Sequence, residues 1–151
     1  MQWKPNVVVA AIIRQDDRYL LVEELSGNGR RVLNQPAGHL EKDESLIDAV
    51  KREVLEETAW SFEPELLTGI YLRPDPVSGI TYLRFCFYGR CNNHDADRKL
   101  DDGIIRTLWM NNEQILAASD RVRNPLVIQC LQDYLSGQYY PLDILHTFAE
   151  T

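Results

Sequence analysis

The sequence predicts an α+β fold, or an α/β/α sandwich, in which a mixed β-sheet lies between helices. Three observations carry this. Strands and helices follow one another in mixed order, with a strand pair first and no regular βαβ alternation. Neither GxGxxG nor GxxxxGK followed by Ser or Thr occurs, so a doubly wound fold with those phosphate loops is not expected. With 151 residues, 44% apolar and 26% charged, the chain suits one domain over residues 1–151, with a single core of packed sheet and helix.

Asn6 to Ile13 (NVVVAAII) and Arg18 to Glu24 (RYLLVEE) read as two strands joined by the polar turn Arg14 to Asp17, a hairpin that starts the sheet. The glycines of Ser26 to Arg31 mark a loop, and Val32 to Asn34 resume an extended run until Pro36 and Gly38 interrupt it. From Ser45, apolar Leu46, Ile47, Ala49, Val50 and Val54 recur at spacings of three and four, which predicts a helix to about Thr58. Ser45 with Asp48 resembles a capping box with a shortened acid. Leu66 to Arg73 and Ile80 to Cys91 read as strands around the turn DPVSG. The second alternates Tyr82, Arg84 and Cys86 against Leu83, Phe85 and Phe87. Asn92 to Gly103 is a polar loop of about a dozen residues, long enough to invite a functional role, and Ile104 to Met110 is a further strand. The last predicted helix takes Asn124 as N-cap and Pro125 in its first turn. It points Leu126, Val127, Cys130, Leu131 and Tyr134 inward and stops at Gly137.

A net charge of -7, from 23 acids against 16 Lys and Arg, disfavours binding to a nucleic-acid polymer or an anionic membrane. No apolar run approaches the roughly 18 residues of a membrane span. The first residues lack the features of a secretion signal, so a cytoplasmic location is expected. Cys86, Cys91 and Cys130 form neither a CxxC pair nor a zinc spacing and read as reduced thiols.

The first helix is acidic where acid is unfavourable. Glu53, Glu56 and Glu57 lie three and four apart and share one helix edge, at a cost of about 0.2 to 0.5 kcal/mol per like-charge pair. Acids in a last turn also meet the negative end of the helix dipole, which costs about 0.3 to 1 kcal/mol each. A solvated surface helix is the plain alternative, but Arg52 reaches only Glu56 at i+4 and the other acids have no helical partner. A divalent cation would reverse the penalty, because Mg²⁺ takes oxygen ligands and is held by a few carboxylates plus substrate phosphate. Such an ion would also bridge an acidic protein to a polyphosphate.

The stretch from Gly38 to Trp60 resembles the Nudix box. In that motif a glycine is followed after five residues by Glu, then after seven by REUxEExGU, where U is a large aliphatic residue. Gly38, Glu44, Arg52, Glu53, Val54, Glu56 and Glu57 match; Ala59 replaces the second glycine and Trp60 the last aliphatic position. Since that glycine ends the helix at positive φ, Ala59 implies either about 1 kcal/mol of strain or a different closure of the last turn. NQPAGHLE (34 to 41), LRF (83 to 85), NPLV (124 to 127) and SGQYYPL (136 to 142) are similar to the bacterial NudJ-type phosphatases within this family. The resemblance implies a Nudix fold over the whole chain and an Mg²⁺-dependent hydrolase, with Mn²⁺ as substitute. The implied substrates are small organic phosphoanhydrides: nucleoside di- and triphosphates, and pyrophosphate esters of thiamine and its pyrimidine precursor. A monomer or a homodimer is expected.

Carried over by position, the resemblance implies Glu53, Glu56 and Glu57 as Mg²⁺ ligands, the Gly38 carbonyl as a further one, and Glu44 with Arg52 as the contact that joins loop to helix. Related enzymes offer a loop acid four residues before a Trp; here Ile105 stands four before Trp109. Asp101 and Asp102 are the nearest substitutes, as base or as substrate contacts, and the general base stays open. Arg84, on a central strand, needs either a carboxylate or a substrate phosphate. Tyr82, Phe85, Trp60 and Trp3 could stack on a base or a thiazole-like ring, with core packing as the alternative. Arg30 and Arg31 read as loop charges and His39 as structural. Two rival readings are an ADP-ribose or other dinucleotide-type pyrophosphatase, and a non-catalytic nucleotide-binding module.

Overall fold

The structure, a computed structural model, describes residues 1–150. In chain order it contains β1 (Asn6–Gln15), β2 (Arg18–Leu25), β3 (Arg31–Asn34), β4 (Ala37–His39), α1 (Leu46–Thr58), β5 (Ser61–Pro74) and β6 (Thr81–Asn92). There follow β7 (Ile104–Asn111), α2 (Asn112–Ala117), α3 (Leu126–Leu135) and β8 (Tyr140–Pro141), with 3-10 turns at Ser119–Arg121 and Leu142–Ile144. The sheet runs β3-β2-β1-β6-β5-β8, with β4 on β1 and β7 on β2. It is mixed because β1 and β6 are parallel while the other strand pairs are antiparallel.

The opening hairpin holds only at its turn. β1 and β2 share the pairs Arg14↔Tyr19 and Gln15↔Arg18; beyond them β1 turns to β4 and β6, and β2 to β3 and β7. This divergence lets β1 be covered on both faces, which explains its nearly unbroken apolar run. Val9, Ala11 and Ile13 pack with Ala49, Val50 and Val54 of α1 and with Phe87. Ala10 and Ile12 pack on the other side with Cys130 and Leu131 of α3, Ile115 of α2, and Cys86. The result is the expected sandwich, with α1 on one face and α2 and α3 on the other. No helix among the described residues is long and apolar enough to cross a membrane.

Several local features differ from expectation. Ala37–His39, read as an interruption, is a strand paired with Val8–Ala10. β5 begins already at Ser61; its Pro64 falls at a bulge, which tolerates a residue that cannot donate to the ladder. The short α2 carries a full capping box between Asn111 and Gln114. A six-residue helix shows too little apolar period to be seen in sequence.

At the start of α1, Asp48 N–H donates to Ser45 Oγ at 3.0 Å. α3 starts one residue later than expected at Leu126, yet Asn124 Oδ1 still accepts from Leu126 N–H at 2.9 Å. It closes in a Schellman arrangement: Gln138 N–H donates to Asp133 O, Gly137 N–H donates to Tyr134 O, and Gly137 sits at φ 88°. α1 closes differently, with Ala59 itself left-handed at φ 63° and ψ 15°. The strain option is therefore the one adopted, and the loop after β6 braces it. Asp95 N–H donates to Ala59 O at 2.9 Å and Asp101 N–H donates to Glu56 O at 3.0 Å.

These two left-handed positions give opposite expectations. Gly137→Ala should lower stability by about 1 kcal/mol. Ala59→Gly should raise it by about 0.5 kcal/mol, because relief of backbone strain exceeds the loss of one buried methyl group. Urea unfolding of both variants measures the two effects, and a destabilised Ala59→Gly would show that the turn is not strained.

Candidate active site

Arg52 organises the acidic end of α1. Its Nε and Nη2 donate to both oxygens of Glu44, at 3.0 and 2.7 Å, a bidentate pair that ties the β4–α1 loop to the helix. Nη2 also donates to His39 O at 2.9 Å, while Nη1 donates to Glu53 at 2.8 Å and to Glu56 at 3.3 Å. Glu44 in turn accepts from Glu41 N–H at 2.7 Å. The guanidinium holds the Glu44 carboxyl below its ordinary range, and Arg52 itself is held firmly protonated. The expected Glu44–Arg52 contact is thus present and reaches further than a single pair.

Carboxylate oxygens of Glu53, Glu56 and Asp101 lie within 4.8 Å of one another. Glu53 and Glu56 come from adjacent turns of α1. Asp101 arrives from the loop, placed by its own N–H on the Glu56 carbonyl. Glu57 stands beside this trio: its Oε1 accepts from Ala37 N–H at 2.9 Å, so it faces the end of β4. Gly38 lies against Glu53 so closely that a Cβ there would sit 2.1 Å from the Glu53 carboxyl carbon, which is the physical reason for glycine at that position.

Burial raises the Glu53 carboxyl above its ordinary range despite Arg52. Burial pushes the Glu57 carboxyl up to about 9, assisted by the charges of Glu24, Glu53 and Asp101 and opposed by the Ala37 N–H. Oxygen donors at this spacing, of which only Arg52 offsets the charge, form a set suited to a hard divalent cation.

The other predicted residues divide. Tyr82 and Arg84 line a cleft of 780 Å³ on the sheet face opposite α1; the cleft reaches Ala37, Gly38 and His39. Arg84 is 4% exposed and its Nη2 donates to Gln35 Oε1 at 2.6 Å; no acid pairs with it among the described residues, so the carboxylate alternative fails. Phe85 is corrected: it follows Arg84 along the strand, points to the α1 side and packs on the core there. Asp102, next to Asp101, is exposed and takes no part in the trio. Trp60 packs against His94 and Trp109, and Trp3 is exposed away from the cleft. Arg31 lies 3.9 Å from buried Glu23, which Arg106 and Arg121 also meet. Sequence reading missed Glu24, Asn34, Gln35 and Arg123, which gather around the cleft or behind its wall. Two adjacent amide side chains, Asn34 at the end of buried β3 and Gln35 just after it, were the available signal.

The raised carboxyls fix the sign of a pH effect. Without divalent metal the folded chain holds protons on Glu53 and Glu57 more tightly than the unfolded chain does. That stability is fully present below about pH 4.3 and is lost as pH rises toward the folded value of Glu57. Melting curves in EDTA should fall from pH 5 to pH 9, by at most about 1.4 kcal/mol per pH unit for each carboxyl. Glu57→Gln should flatten the fall, and an unchanged slope in that variant would contradict the assignment.

Comparison with known proteins agrees with this geometry. A NUDIX domain family model matches residues 3–129. The chain is 38% identical over 148 residues to Phosphatase NudJ of Escherichia coli strain K12, covering 97% of this chain and 94% of that protein. A solved NUDIX hydrolase from Nitrosomonas europaea is 56% identical with a TM-score of 0.94, over 96% of this chain and 98% of that one. A solved ADP-ribose pyrophosphatase from Streptococcus suis, 16% identical with a TM-score of 0.66 over 91% and 96% of the two chains, shares the fold alone. Taken with the acidic helix and its arginine clasp, these matches establish that the chain belongs to the Nudix hydrolase family.

Proposed function

We propose that this hydrolase removes terminal phosphate from small organic di- and triphosphates, nucleoside phosphates and thiamine-type pyrophosphates among them, with Mg²⁺ or Mn²⁺ as cofactor. The observation that carries the reading is the clustering of Glu53, Glu56 and Asp101 oxygens within 4.8 Å under the hand of Arg52. The name Phosphatase NudJ, borne by a relative that matches 97% of the chain, supports phosphate as the leaving product.

Glu53, Glu56 and Asp101 would hold the cation, with Glu57 and Gly38 at its border. When bound, the ion neutralises charge on the phosphoanhydride oxygens and acidifies water beside it. Arg52 keeps Glu53 and Glu56 fixed in place. Asp101 is the exposed member and sits on a loop, so its carboxylate oxygen accepts the proton of the attacking water. The water oxygen bonds to the terminal phosphorus, the bond from that phosphorus to the bridging oxygen breaks, and the shortened organic phosphate departs.

The test is phosphate release from nucleoside di- and triphosphates, thiamine pyrophosphate and ADP-ribose, with Mg²⁺ or with EDTA, without added pyrophosphatase. Release should require metal, and Glu56→Gln should reduce it by roughly a hundredfold or more, since several kcal/mol of charge stabilisation are lost. Two monophosphates from ADP-ribose without free phosphate would favour the dinucleotide-type rival. Nucleotide-induced thermal stabilisation without any product would mark a binding module.

A further inference from the structure

We propose that Trp60 and His94 are positioning residues for Asp101: the indole at the exit of α1 receives the imidazole and so fixes the loop that delivers the third carboxylate to the cation site. This role deepens the hydrolase reading and rests on its cation site. It also brings the two departures from the Nudix box, Ala59 and Trp60, into one piece of structure.

The loop after β6 runs back along the end of α1. Asp101 N–H meets the Glu56 carbonyl at 3.0 Å, Asp95 N–H meets the Ala59 carbonyl at 2.9 Å, and the His94 and Trp60 ring centroids lie 4.7 Å apart. The β5–β6 ladder closes with Ser61↔Asn92, and Asn93 then turns left-handed at φ 53°, a conformation that asparagine tolerates, which brings His94 to Trp60. Trp60 is a fixed platform, because it packs on the core beneath α1 and meets Trp109 of β7 edge to face at 6.1 Å. The stretch from His94 to Asp101 is exposed except at Leu100. Exposed backbone of this kind opens easily, and one hydrogen bond at Glu56 is a weak hold against its conformational entropy. The ring contact adds to that hold at the other end of the stretch. Asp97 N–H and Arg98 N–H close a turn on Asp95, at 3.1 Å to its carboxylate and 3.2 Å to its carbonyl, so fixing Asp95 also fixes the path toward Asp101. The aliphatic residue that the motif places at position 60 has no ring face to offer His94.

A surface contact without a role would leave the cation indifferent to His94, and metal binding separates the two cases. Mn²⁺ affinity is measured by calorimetry in the parent chain, His94→Ala, His94→Phe, Trp60→Leu, Asp101→Asn and the double variant His94→Ala/Asp101→Asn. Because His94 is exposed, its replacement opens no cavity in the core. His94→Ala should weaken Mn²⁺ binding about three- to tenfold, and Trp60→Leu should do the same. His94→Phe, which keeps a ring, should bind as the parent does. In the Asp101→Asn background His94→Ala should cost nothing further, since the imidazole acts on the ion only through that carboxylate. A second readout needs no metal: in EDTA, amide hydrogen exchange followed by NMR should show the Asp101 N–H exchanging about three- to tenfold faster in His94→Ala than in the parent or in His94→Phe. Unchanged Mn²⁺ affinity or unchanged Asp101 exchange in His94→Ala, or an equal loss with and without the Asp101 carboxylate, would overturn the positioning role. A parent chain that binds no Mn²⁺ would sink the cation site and this role with it. Mn²⁺ binding that depends on His94 as stated, without phosphate release from any substrate, would leave the role standing and sink the phosphate-release reading alone.

Discussion

The site rests on one constraint: several carboxylates must be held together at the C-terminal end of a helix, where charge repulsion and the helix dipole both oppose them. Arg52 answers most of it. One guanidinium is shared among Glu44, Glu53, Glu56 and the His39 carbonyl, so the loop that ends β4 and the acidic face of α1 are set by the same side chain. The loop after β6 answers the rest, by donating the Asp101 amide to the Glu56 carbonyl in the last turn of α1 and the Asp95 amide to the carbonyl of its C-cap, Ala59. Ala59 belongs to the same device. Its left-handed turn is strained for a residue with a Cβ, and its carbonyl receives Asp95 in return.

Strand pleating explains how one short segment serves two regions. On β4, Gly38 pairs with Val9, whose side chain faces α1, and Gly38 meets Glu53 there. His39 pairs with Val8, which is also in register with Arg84, so these residues face the cleft. The Ala37 amide secures Glu57 at the boundary. Three residues of strand thus join the carboxylates on one face of the sheet to the cleft on the other.

Much of this was legible in sequence, for identifiable reasons. The α1 period and the spacing of Glu53, Glu56 and Glu57 are local, and local spacing on a helix fixes which side chains share an edge. The alternation along β6 was also correct. What it does not supply is which face carries the cleft, so Phe85, on the other face from Tyr82 and Arg84, stands in sequence as a stacking candidate although it packs under α1. Asp101 joins Glu53 and Glu56 through a loop amide docked on a helix carbonyl, a contact between distant parts of the chain that no periodicity encodes. The divergence of β1 and β2 was hidden as well, because a strand has the same period whichever neighbour it pairs with.

The most direct check on the central claim is Mn²⁺ binding, followed by electron paramagnetic resonance in the parent chain and in Glu53→Gln, Glu56→Gln and Asp101→Asn. If these three carboxylates form one cation site, the parent should bind Mn²⁺ and each variant should bind it at least about tenfold more weakly. Binding that is unchanged in Asp101→Asn and in both glutamate variants would contradict the account and place the ion elsewhere.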